Sequence, residues 1–133
     1  MSFSNFLENE LLDHVFGGGT RNYSPPTNVF TGLSTADPGD DGAGLAEPSG
    51  NGYARKQTAA SDWSVASGGA LSNANPITFD EATGSWGTVT HVCLFDQLTG
   101  GNLLASGALS ASKAVGAGDT VQFAAGDLDV TLD

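Results

Sequence analysis

Thr88-Val-Thr-His-Val-Cys-Leu-Phe95, closed by Asp96-Gln-Leu-Thr-Gly-Gly101 and answered by Asn102-Leu-Leu-Ala-Ser-Gly-Ala-Leu109, is the stretch that decides the fold. The first run is rich in β-branched and aromatic residues, and the Gly-Gly pair supplies a turn. Two echoing units follow, Ala117-Gly-Asp-Thr-Val-Gln-Phe123 and Ala125-Gly-Asp-Leu-Asp-Val-Thr-Leu132. Each opens on Ala-Gly-Asp and then alternates apolar with polar side chains, the period of a strand with one face on a core. Leu128, Val130 and Leu132 are therefore expected inward, and Asp127, Asp129 and Thr131 outward. The four strands read between Trp86 and Leu132 hold almost no residue equipped for chemistry. Assembly, not catalysis, is the expected reason for such a fold.

Working back from there, further strands are read at residues 28–35 after Pro25-Pro26, at 53–58 and at 77–79, with weaker candidates at 63–66 and 70–73. Turn signals recur about every ten residues, the spacing of a sandwich. The chain is thus expected to be one mainly β domain over residues 1–133, an antiparallel β-sandwich of jelly-roll type with one N-terminal α-helix. Residues 36–52 form a long acidic Gly/Pro loop, at about seventeen residues longer than most connections inside a domain, and so expected to be mobile or functional.

The helix is expected at residues 4–16. Phe3, Phe6, Leu7, Leu11 and Val15 recur at intervals of three and four and make one apolar stripe. Asn5 and Glu8 have capping-box spacing, with Ser4 as the alternative cap, and Gly17-Gly-Gly19 offers a C-terminal stop. Those five apolar residues exceed what a short terminal helix needs to stay folded. They are the candidate assembly contacts, some expected to anchor the helix and others to meet a neighbour.

Fifteen carboxylates against four cations give a net charge of −11. Such a surface repels phosphate backbones and anionic lipid, so neither nucleic acid nor membrane is an expected partner. The acidic N-terminus does not read as a secretory signal, and no apolar run approaches the ~20 residues that span a bilayer. Synthesis in a host cytoplasm is the expectation.

The chemical motifs are weak. His91 and Cys93 share a face of one strand, but only His14 remains as a further soft ligand, so a packed pair is expected rather than zinc or a nucleophilic dyad. Asp37-Pro-Gly-Asp-Asp-Gly42 has hard oxygen ligands, yet departs from calcium-loop spacing and is expected to be a solvated turn. Asp119 and Asp127 are expected to cap turns through backbone amides. Trp63, Trp86, Tyr23 and Tyr53 would stack on sugar rings if exposed, although packing is the expected role. No catalytic residue and no cofactor or metal is expected.

Ser4-Asn-Phe-Leu-Glu-Asn-Glu-Leu-Leu-Asp-His14, Gly52-Tyr-Ala-Arg55, Trp86-Gly-Thr-Val-Thr-His91, Phe95-Asp96, Gly100-Gly-Asn-Leu-Leu104 and Gly107-Ala-Leu109 recur in one order and spacing. With Gly118-Asp-Thr120 and Phe123-Ala-Ala-Gly-Asp-Leu128, they resemble a family of short bacteriophage virion structural proteins known as tail-fibre proteins. The match runs from end to end and is interrupted mainly around residues 36–50. This resemblance implies a virion structural protein without enzymatic activity. The chain lacks coiled-coil heptads and long β-repeats of a fibre shaft, so the expected role is a capsid decoration, or cement, protein on the particle surface. The alternatives are a tail-fibre or tail-tip module, a carbohydrate-binding module using Trp63 or Trp86, and, more distantly, a hydrolase. Expected partners are other virion proteins, the major capsid protein or tail proteins, and further copies of the chain in a homo-oligomer.

Overall fold

The computed structural model describes residues 1–132, so Asp133, the last residue of the expected domain, lies outside the described residues. In chain order the elements are β1 (Ser2–Phe3), α1 (Asn5–Phe16), β2 (Val29–Ser34), β3 (Lys56–Thr58), a 3-10 turn (Ala60–Asp62), β4 (Ala70–Ser72), β5 (Ile77–Thr78), β6 (Gly87–Phe95), β7 (Leu103–Val115), β8 (Gln122–Phe123) and β9 (Asp129–Thr131). Seven strands form one curled sheet in the order β3-β2-β6-β7-β1-β9-β4, and β5 pairs with β8 in a separate two-stranded sheet. The chain is mainly β with one short helix, as expected. The jelly-roll sandwich, with two facing sheets of similar size, is not formed among these strands. Nor is the pairing wholly antiparallel, because Ser2 of β1 runs parallel beside Thr131 of β9.

The two Ala-Gly-Asp units explain part of this difference. Gly118 and Gly126 take φ of 86° and 85°, a conformation that suits glycine. The amides of Asp119 and Asp127 close turns on the carbonyls of Gly116 and Ala124. Each carboxylate then accepts the amide three residues back, from Gly116 and Ala124 at 2.9 Å. The units are turns rather than strand openings, and only two residues of strand follow the first and three the second. Leu128 and Val130 are buried while Asp127, Asp129 and Thr131 are exposed, as the alternation predicts. Leu132 is the exception at 63% exposed, because β9 ends at Thr131 and the sheet no longer covers it.

Residues paired across a ladder share a face. On one face Leu33 and Val92 meet Phe79, Trp86, Phe123 and Leu128 in the largest apolar cluster. Farther along that face Leu94 and Ala105 meet Val130 and Leu7. The opposite face carries Phe30, Cys93, Phe95 and Leu103 beneath Leu45. Both faces of the sheet are therefore covered, and the cover on the second comes from the acidic loop.

That loop is folded onto the sheet by its own backbone. Thr35 donates to the Ala46 carbonyl at 2.9 Å, Ala46 to Ser34 Oγ at 3.0 Å and Gly44 to the Pro38 carbonyl at 2.9 Å. A Cβ at Gly44 would run into the Asp37 carbonyl, so this crossing requires glycine. No helix among the described residues is long and apolar enough to cross a membrane.

Candidate functional site

The helix, which carries four of the five candidate assembly contacts while Phe3 lies on β1, is held at its N-terminus by the sheet. Ser4, not Asn5, is the cap: its Oγ accepts from the Leu7 amide at 3.3 Å and donates to the Leu103 carbonyl. The Ser4 amide also bonds the Leu104 carbonyl at 2.8 Å, which welds the first turn to β7. The helix ends where Gly17 takes φ 75° and returns its amide to the Asp13 carbonyl at 2.8 Å.

The apolar stripe divides along its length. Leu7 is buried, and Phe3, Phe6 and Leu11 pack half-buried around it against Leu94, Leu104, Ala105 and Val130. Val15 does not join them. It is 63% exposed, beside Leu12 at 56% and Phe16 at 75%. The last turn therefore presents an apolar face that nothing among the described residues covers. Leu12 and Phe16 were not among the expected contacts, although Leu12, Val15 and Phe16 are themselves spaced three and four apart. That second stripe begins one residue after Leu11 and overlaps the first.

A second constellation escaped the sequence reading altogether. Arg55, 8% exposed, lies over the Phe95 ring with its guanidinium carbon 3.5 Å from the centroid. Its Nε and Nη2 grip both oxygens of Glu47 at 2.8 and 2.7 Å, and Nη1 donates to the Gln97 and Gly100 carbonyls at 2.8 Å each. Tyr53 completes the group by donating to Glu47 Oε2 at 2.6 Å and accepting the Leu33 amide at 3.0 Å. The Leu33 bond has a clear origin: β3 pairs with β2 only through Thr31, so the next free amide on that edge takes a hydroxyl instead. Burial, and then the hydrogen bond to Glu47, raises the Tyr53 pKa well above the usual phenol range. One cation thus fastens the acidic loop, the Tyr53 segment and the β6–β7 turn together. The only sequence signal was Gly52-Tyr-Ala-Arg55 itself.

The weaker candidates are absorbed by structure. Cys93 is fully buried, and burial pushes its thiol up to about 12 from 9.0. His91 Nδ1 sits 2.8 Å from Thr90 Oγ1, and Nε2 is 3.8 Å from Asp37 Oδ1. No three His, Cys, Asp or Glu side chains converge as metal ligands would among the described residues. In the 37–42 loop, Asp37 accepts from the Gly39 amide and Asp41 from the Ala43 amide, both at 2.9 Å. Trp86 is 4% exposed with its indole N–H on the Asn51 carbonyl at 2.8 Å, so it offers no stacking face. Trp63 is half-buried between the two larger clusters and donates to Thr58 Oγ1 at 2.9 Å.

A curled sheet whose loops are fastened by a buried arginine, and whose helix ends on an uncovered apolar turn, defines a small mainly β structural module. A family model described as Podophage GP4 fiber I protein gp80 matches residues 2–131. The chain belongs to that family, and the resemblance to tail-fibre-like virion proteins read from its sequence is borne out. No curated protein matches it.

Proposed function

We propose that the chain is a non-enzymatic component of a phage virion, seated in or beside a fibre, that attaches to another virion protein through the last turn of α1. The carrying observation is the uncovered face of Leu12, Val15 and Phe16 on a helix whose other apolar residues are already packed at home. Fully burying one such side chain is worth about 1.5–3 kcal/mol, enough for three of them to anchor a contact. In this reading Phe3, Phe6, Leu7 and Leu11 hold the helix in place, and Val15 alone of the five expected contacts touches the partner. The family's name supports a fibre location.

Capsid decoration is the second reading. It is favoured by a β-rich chain of 133 residues that has neither the heptads nor the long repeats of a fibre shaft. Mass spectrometry and immunogold labelling of purified virions decide between the two. Gold confined to the tail region is the expected result. Gold spread over the head would establish decoration instead, and a chain absent from purified particles would overturn both.

A further inference from the structure

We propose that the cleft between β7 and β9 takes one extended arm of another virion protein as an added strand. β1 defines the lane. Ser2 pairs with Ser106 of β7 on one side and with Thr131 of β9 on the other, so a single strand already fills the gap there. Past Met1 the same lane opens into a cleft of about 640 Å³. Val89, Val92, Phe123 and Leu128 of the largest apolar cluster line it, together with Lys113 of β7 and with Asp127 and Asp129 at β9.

The alternation of backbone groups along the two walls shows what can continue in the lane. Ser4 donates to the Leu104 carbonyl at 2.8 Å and Ser2 faces Ser106, so the even-numbered residues in this part of β7 turn their polar groups toward β1. Ala108 is the next of that series. On β9, the Leu128 carbonyl and the Leu132 amide bond Asn73 and Gly69 on the β4 side. The Asp129 carbonyl instead accepts from the Met1 amine at 2.6 Å, and the Thr131 amide donates to the Met1 carbonyl at 2.9 Å. The Asp129 amide therefore faces the lane as well. It and both polar groups of Ala108 are set for two successive residues of a strand running parallel to β9 and antiparallel to β7. Beyond Ala108 the β6 ladder bulges around Thr90, and the register ends there.

The walls fix the kind of occupant. With β7 on one side and β9 on the other, a strand that brings its own sheet neighbour cannot enter, which leaves a lone extended arm. A second copy has no spare strand to give, because β1 to β9 are all paired among the described residues, and two chains of charge −11 repel. Two carboxylates against one lysine at the cleft, on a chain this acidic, select an arm of net positive charge. Apolar side chains at alternate positions of that arm reach the cluster below, while its backbone completes the sheet. That the arm belongs to a virion protein rests on the function proposed above; the lane does not.

The test separates the lane from the partner. Lys-Val-Thr-Val-Thr is fused ahead of Met1 of the full chain, which sets both valines on the face of Met1, toward the core. The control is Lys-Val-Thr-Pro-Pro, whose prolines lack the amides the lane needs. The first fusion is expected to raise the melting temperature by about 5 °C or more. It should also slow hydrogen exchange at the Ala108 and Asp129 amides at least about tenfold, and the control should do neither. No rise and no protection, or the same change from both fusions, would overturn the proposal. For the partner, a photo-reactive residue replaces the exposed Ala108 in virions. A cross-link to a different virion protein is expected, and the first fusion should abolish it. Cross-links only between copies, or none on particles that carry the chain, would overturn the proposal too. A chain absent from the particles would remove the proposed function and the partner with it, and the melting and exchange results would still decide the lane.

Discussion

The acidic loop at 36–52 and the outer half of β7 exchange the roles their sequences suggest. The loop is aperiodic and rich in glycine, proline and charge, the composition of a free segment, yet its backbone is tied to β2 and Glu47 is gripped by Arg55. β7 continues a strand that reads as ordinary over residues 102–109, yet residues 109–112 have no partner in the β6 ladder. The apolar last turn of α1 resembles β7 in this, with Phe16 75% exposed. A loop whose polar groups are satisfied internally is finished, whereas a regular element with open valences or uncovered apolar surface is waiting for a partner.

The largest effect should come from undoing the finished side. Arg55→Ala leaves Glu47 without its counter-ion beneath the loop and removes the donors to Gln97 and Gly100. Loss of one partner from a buried pair costs about 3–5 kcal/mol. Denaturant unfolding should show that fall, and Arg55→Lys should recover little of it, since lysine cannot reproduce the two-pronged grip. A change below about 1 kcal/mol would mean that the clamp is ornamental and that the contrast between the two regions is false.

A smaller effect follows from the groups packed below that clamp. Cys93 is held neutral up to about 12 in the fold against 9.0 unfolded, mainly by burial and secondarily by Glu47. The Tyr53 hydroxyl is raised in the same direction. For an acid whose folded pKa is raised, the unfolded chain loses its proton first, so stability falls as pH climbs from 9.0 toward about 12. The slope for the thiol is at most about 1.4 kcal/mol per pH unit. Melting temperatures between about pH 8 and about pH 10.5 should decline, and Cys93→Ala should flatten the curve without abolishing it. An identical decline in both proteins would show that the thiol is not held neutral.

What could be read from the chain was local, and what could not was long-range. The helix was legible because its stripe and Gly17 are sequence-local, while the choice of Ser4 over Asn5 as cap rests on a tertiary bond to Leu103. The β6–β7 hairpin was legible from its β-rich run and its Gly-Gly turn. The extension of β7 to Val115 was not, because Ser110-Ala-Ser-Lys-Ala114 has no apolar alternation and pairing with Thr88 and Val89 makes it a strand. Arg55 and Glu47 are eight residues apart across a folded loop, and no periodicity announces such a pair. Of the five expected contacts, the stripe placed four on the helix and Phe3 on β1 just before it, and could not tell which the sheet would cover.

The central claim, that the uncovered turn of α1 is an attachment surface, is tested by the smallest change in stability. Val15→Ser combined with Phe16→Ser alters only exposed side chains, so the unfolding free energy should move by less than about 0.5 kcal/mol. The decisive measurement is co-sedimentation of wild type and this double variant with virions stripped of the protein. The wild type is expected to sediment with the particles and the double variant to remain in the supernatant, across a salt series because the contact is apolar. A folded double variant that sediments as fully as wild type would contradict the claim.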